Sequence, residues 1–273
     1  MSRKWEPCKP LPDKRCYTAC IPYKGPIPML KNQIQEVIFV IGGCDVMGIP
    51  VNTLYMYLPE KNFWFPLKSM EVKRANPICS ILNERYIIAL GGVGNDPPQA
   101  PVSAIEIYDI NLNYWHQMPS MTKPLMGMAA LYKNNNLLIF GGMENDTNPT
   151  DDSRIVSLSI EGDDETATDP SKKKLTLSWN SLPKMKTARY VATALDFEER
   201  VAVLGGRVGK NPVNSFEVYH KNSAIWENYP DFPMKTVFKV RGLFFFIYLR
   251  NNFTSHIEQH TGQTFPRHCQ IIT

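Results

Sequence analysis

Residues 86–92 read YIIALGG. Five apolar residues run without a polar break and stop at two glycines. So short a run, bounded by turn residues, suits a buried strand rather than a helix, which needs about 10 residues or more. The phrase recurs as VIFVIGG at 37–43, NLLIFGG at 136–142 and RVAVLGG at 200–206. The first glycines are Gly42, Gly91, Gly141 and Gly205, each followed by a second: Gly43, Gly92, Gly142 and Gly206. Their spacings are 49, 50 and 64 residues. The long interval contains EGDDETATDPSKKK at 161–174, an acidic-then-basic stretch expected to be an exposed disordered loop. A period near 50 points to a propeller or solenoid rather than a compact mixed fold.

An aromatic marker keeps the same period. Tyr57 and Trp64 stand seven residues apart, as do Tyr108 and Trp115, and Tyr219 and Trp226. Trp179 lacks a matching tyrosine because the insertion precedes it, and Trp5 has no upstream half. Each tryptophan leads into a turn with proline or methionine, such as WFPLKSMEVKR and WNSLPKMKTAR. Short β-rich runs between turns, with no helical period, predict an all-β chain of about four antiparallel strands per unit. One such sheet cannot bury both faces, so units are expected to pack face to face around an axis. The glycines supply the permissive backbone and close approach that end the second strand. The tyrosines and tryptophans supply apolar area between sheets.

Double glycine, Tyr-x6-Trp and period together resemble kelch repeats over roughly residues 5–236. GGCDVMGIPVNT, GGVGNDPPQAPVSAIE, FGGMENDTNPT and LGGRVGKNPVNSFEVY are similar to successive repeats of the kelch domain-containing protein 8 family, with its A and B forms. That resemblance implies a β-propeller of four-stranded blades, here four recognisable blades, a partial fifth and an incomplete ring. It also implies an interaction protein rather than an enzyme, a cytoplasmic place and, for the B form, association with the midbody.

Composition fits this reading. The apolar fraction is 43% and the charged fraction 21%, ordinary for a globular chain. A net charge of +4 is too mild to argue for nucleic acid. The first residues hold no apolar secretory core, and the longest apolar run, Leu243–Leu249, falls far short of the roughly 20 residues that span a bilayer. Six scattered cysteines without a CxxC fit a reducing interior.

Catalytic chemistry finds little support. Kelch-like propellers include a copper oxidase, whose site needs a Tyr–Cys cross-link and converging histidines. Here His220, His256, His260 and His268 fall late, and His116 follows Trp115 on a strand end. His256 and His260 are spaced i, i+4 but read as a polar tail rather than a zinc pair. GGVGND and GGRVGKN run from strand to strand and lack the helix N-terminus of a phosphate loop. No cofactor or metal is expected. A substrate receptor for a cullin-type ubiquitin ligase is the alternative, although such proteins carry a helical region in front of the repeats.

Every post-tryptophan turn carries cations at nearly one phase: Lys14 and Arg15, Lys73 and Arg74, Lys123, Lys186 and Arg189, and Lys235. Equivalent turns share one rim, and Arg207 and Lys210 follow a double glycine on the same side. Arg15, Arg74, Lys123, Arg189, Arg207 and Lys235 are therefore candidates for a basic rim that takes a protein partner, such as an acidic peptide. The alternative for the arginines is hydrogen bonding to strand-end carbonyls of the adjacent blade.

KVRGLFFFIYLRNN at 239–252 breaks the pattern. The next double glycine is due at 252, where Asn252 stands. Two readings stay open: Leu243–Leu249 is a substitute strand, with Asn251 and Asn252 taking the backbone angles of the glycines, or residues 1–240 are the repeat region and 241–273 a non-repeat tail from alternative splicing, since KVR matches translation through a splice donor. The strand of Trp5 would then lack its usual partners, leaving an open blade edge for self-association.

Overall fold

The computed structural model describes residues 6–145, 148–161, 174–197 and 200–231. All belong to one compact unit, Met1–Phe238. The boundary near 240, Lys235, Trp5 and the tail at 241–273 lie outside the described residues.

The described chain builds four four-stranded antiparallel sheets. Sheet I contains β1 (Ala19–Ile27), β2 (Gln33–Ile41), β3 (Leu54–Leu58) and β4 (Phe63–Leu67). Sheet II contains β5 (Ile78–Leu82), β6 (Tyr86–Leu90), β9 (Ile105–Asp109) and β10 (Tyr114–Met118), with a small hairpin, β7 (Val93–Asn95) and β8 (Pro98–Pro101), between β6 and β9. Sheet III contains β11 (Ala129–Lys133), β12 (Asn136–Phe140), β13 (Ser153–Glu161) and β14 (Lys174–Leu182). Sheet IV contains β15 (Thr193–Phe197), β16 (Arg200–Leu204), β19 (Phe216–His220) and β20 (Ile225–Tyr229), with the hairpin β17 (Arg207–Val208) and β18 (Asn211–Pro212) between β16 and β19. Each sheet is a meander in sequence order, and the double glycine closes its second strand. The insertion falls between β13 and β14.

The first strands meet across sheets, β1 with β5, β5 with β11 and β11 with β15. Three apolar cores lie between the four sheets. The core between I and II joins Ile21, Phe39 and Met56 to Ile87, Tyr108 and Trp115. Sheets II and III share Ile88, Ile107 and Met128 with Leu137, Ile139 and Val156. Sheets III and IV share Phe140 and Met185 with Val203, Tyr219 and Trp226. The marker pairs sit directly opposite each other: Tyr57 with Trp64, Tyr108 with Trp115, and Tyr219 with Trp226. Val156 takes the tyrosine position opposite Trp179.

The other face of sheet I is different. In sheet II, Cys79 and Ile87 face sheet I and are 3% and 0% exposed. Register places Cys20 and Ile38 at the equivalent positions of sheet I. There Cys20 is exposed and Ile38 is 37% exposed, with Ile34 beyond it at 71%. Sheet I therefore ends the described stack with a partly open face, as an incomplete ring would.

Candidate functional site

Three connections between sheets, the segment that leads into β1 and four β2-β3-type loops emerge on one side of the stack, which we call the crown. A repeated bridge joins them. The residue eleven after each tryptophan pairs with the residue after each double glycine: Cys16 with Cys44, Ala75 with Val93, Met126 with Met143, and Tyr190 with Arg207. The next residue in each turn has left-handed backbone: Tyr17 (φ 55°), Asn76 (50°), Gly127 (64°) and Val191 (52°). From these positions the Asn76 N–H donates to the Tyr17 carbonyl at 2.7 Å, and the Val191 N–H to the Gly127 carbonyl at 2.6 Å. The glycines make the close packing possible. A Cβ on Gly92, at φ 96°, would lie 2.5 Å from the Ala75 carbonyl.

The arginines expected on the rim point inward instead. Arg74 and Arg189 are completely buried. Arg74 Nη1 donates to the Gly91 and Ala104 carbonyls, at 3.3 and 2.8 Å, and Nη2 to Glu106 Oε2 at 2.6 Å. Arg189 repeats this with the Gly205 and Ser215 carbonyls, at 3.0 and 2.9 Å, and with the Glu217 carboxylate. Burial pushes both guanidinium groups below the usual arginine range, and the paired carboxylates oppose that push. Both stay protonated, as guanidinium does throughout the ordinary pH range. Arg15 follows the same plan with different partners. It donates to the Gly42 carbonyl and Thr53 Oγ1 and pairs with Asp13 at 2.6 Å, with its guanidinium over the Tyr55 ring. Its side chain is only 2% exposed. The expectation of a basic rim is corrected at these three positions: desolvated strand-end carbonyls on the next sheet outcompete solvent for the guanidinium.

The acids that complete these staples were not visible as site residues. Glu106 Oε1 accepts from the Glu71 N–H at 2.7 Å and from Gln117 Nε2 at 2.9 Å, so one carboxylate ties the incoming turn to sheet II. Glu217 accepts likewise from the Lys186 N–H. In sheet III the arginine position is Leu125 and the acid position is Arg154, which pairs with Asp152 instead. In sheet III the cation and the acid are lost together, whereas sheet I keeps Arg15 with Tyr55 at the acid position.

Among the remaining candidates, Lys123 is exposed and ion-paired with Glu144 at 2.6 Å. Arg207 is half-buried, and its backbone forms the Tyr190 bridge. The exposed crown also includes a feature with no charge. Asp45 Oδ1 accepts from the Met47 and Ile49 N–H groups at 2.8 and 2.9 Å, which folds the loop after Gly43 into a fixed finger. At its tip Val46 and Met47 are 74% and 77% exposed, and Tyr17 nearby in sequence to the first bridge is 69% exposed.

Among the described residues, no group of three or more His, Cys, Asp or Glu is arranged to hold a metal ion. No described helix is long and apolar enough to cross a membrane.

The kelch motif model matches residues 32–71, the stretch from β2 into the turn that follows Trp64. Alpha-scruin of Limulus polyphemus is 32% identical over 114 residues, covering 40% of this chain and 12% of that one. Kelch domain-containing protein 8B of Rattus norvegicus is 26% identical over 147 residues, covering 52% of this chain and 39% of that one. Residues 32–71 thus carry a kelch motif, and the chain is similar to kelch-repeat proteins. Among solved structures, that of YjhT matches this chain with a TM-score of 0.64 at 14% identity, covering 85% of this chain and 75% of the other, which supports the fold alone. The chain spans well under half the length of the two curated relatives.

Proposed function

We propose that this protein is a non-catalytic interaction module that engages a protein partner through its crown. One observation carries the reading: the bridges gather the loops of four sheets on one side, and the first of them lifts an exposed, internally braced apolar finger. Exposed apolar side chains on a fixed support lose little entropy on binding, and methionine adapts to irregular partner surfaces. The similarity to kelch proteins agrees with an interaction role. Burial of Arg15, Arg74 and Arg189 removes the arginines from a basic rim, so contact is assigned to the apolar finger, with exposed Lys14, Lys73, Lys123 and Lys186 and half-buried Arg207 as the cations left on the crown turns.

A photo-reactive residue at Met47 is expected to cross-link the partner in cells, and one at exposed Ser178 on β14 is not. Met47→Asp is expected to weaken capture at least tenfold with unchanged melting temperature, as for a central interface residue. Equal cross-linking from both positions, together with unchanged capture by Met47→Asp, would reject a crown-centred site.

A further inference from the structure

Cys16 and Cys44 face each other across the first crown bridge. The Cys16 N–H donates to the Cys44 carbonyl at 3.0 Å and the Cys44 N–H to the Cys16 carbonyl at 2.8 Å. They are thus a directly opposed antiparallel pair with side chains on one side. Such pairs hold their Cα atoms about 5.5 Å apart, inside the range of about 4.4–6.8 Å that a disulfide bridges. Both are free thiols. The other three bridges hold Ala75 and Val93, Met126 and Met143, and Tyr190 and Arg207. Of these four bridges, the one that anchors residues 6–16 to sheet I alone opposes two thiols.

That segment has a defined task. The Lys9 carbonyl accepts from Trp64 Nε1 at 2.8 Å, and Asp13 accepts from the Tyr55 hydroxyl at 2.7 Å. It covers the outer half of the end face of sheet I and is not itself a strand of any sheet. We propose that Cys16 and Cys44 form a thiol–disulfide site, at which a low-molecular-weight disulfide of the glutathione class oxidises the pair to a cross-strand bond tethering residues 6–16.

The order of attack follows exposure. Cys16 is exposed and Cys44 is buried. Burial, then the neighbouring Cys16 and Asp45, push the Cys44 thiol up, so it is the poorer first nucleophile. The Cys16 thiolate attacks the small disulfide, forming a mixed disulfide and releasing one small thiolate. Cys44 loses its proton and attacks Cys16 Sγ, forming the cross-strand bond and releasing the second small thiolate. Two protein thiols are oxidised, one small disulfide is reduced to two thiols, and the two protons pass to the released thiolates.

The purified full chain, equilibrated in mixtures of reduced and oxidised glutathione and then alkylated, is digested without reduction and analysed by mass spectrometry. The expected product joins the peptides of Cys16 and Cys44 and disappears on adding excess reduced glutathione. Cys16→Ser is expected to lose it. Cys44→Ala is expected to hold glutathione on Cys16 instead. Oxidation is expected to slow tryptic cleavage after Lys14 in the wild-type chain and to leave that of Cys16→Ser unchanged. A wild-type chain whose Cys16 carries only glutathione at every mixture overturns the proposal, as does a cross-link that uses Cys8 or Cys20. Should Cys44→Ala not fold, the exposed Cys16→Ser change and the wild-type peptide map still decide.

Discussion

Arg74 carries a full charge with no contact with solvent, and the carboxylate it meets takes three further hydrogen bonds. Burying such a pair gains little over apolar packing, but removing one partner strands the other. Arg74→Met is expected to cost ~3–5 kcal/mol, read as a lower urea midpoint at unchanged slope. Lys123→Met breaks an exposed pair and is expected to cost less than ~1 kcal/mol. A binding role for Arg74 would show the reverse, with normal stability and lost capture. The glycines allow a similar contrast. Gly92→Ala and Gly48→Ala both force left-handed backbone, but only the first drives a Cβ into a carbonyl, whereas nothing lies within 4 Å of the second. Gly92→Ala is expected to be the more destabilising in thermal unfolding.

Residues 6–16 show how an element can work without being a strand. Lys9, Lys68 and Pro183 each lie four residues after a tryptophan, and each offers its carbonyl to the indole N–H of the next sheet: Trp64, Trp115 and Trp226. The N–H groups of Lys9 and Lys68 also donate to Asn62 and Asn113, which in turn accept from the Tyr57 and Tyr108 hydroxyls. Pro183 has no N–H, and the position of that asparagine is Ala224. The segment therefore supplies the last contacts of a preceding blade. Removing residues 1–16 is expected to lower the melting temperature and raise the binding of an apolar dye, because Tyr55, Tyr57 and Trp64 lose their cover. Trp64→Phe keeps the ring, loses one hydrogen bond and is expected to cost about 1 kcal/mol.

The sheets, their order and their glycine-closed second strands were legible because a period of about 50 residues stamps them into the chain. The arginine phase was legible too, and with it the alternative of hydrogen bonding to strand-end carbonyls, which Arg74 and Arg189 make. The buried carboxylate partner was not, because Glu106 lies 32 residues from Arg74 on another strand. Long-range pairing of this kind leaves no local pattern. The apolar finger lies inside a repeat phrase, GGCDVMGIPVNT, that carries no sign of its exposure, because loop exposure is decided by tertiary packing.

At the scale of the molecule, alkali is expected to find the cores between sheets. Burial holds the phenols of Tyr86, Tyr108 and Tyr219 above their usual range. Unfolded phenols ionise near pH 10, so the unfolded chain releases protons that the folded chain retains. Stability is then complete below about pH 10 and falls as pH rises through that value. The phenolate absorbance of these three buried tyrosines is expected to appear together with unfolding, not before it.

The four left-handed residues at the crown have a practical corollary. Tyr17, Asn76, Gly127 and Val191 occupy one conformation in four successive copies, so the chain has already run a substitution series on itself. Only one copy holds the residue for which that conformation is free of strain, and a branched side chain tolerates it worst. Val191→Gly transplants the answer found at Gly127 and is expected to gain about 1 kcal/mol. A repeat protein of this kind can be engineered by letting one copy correct another.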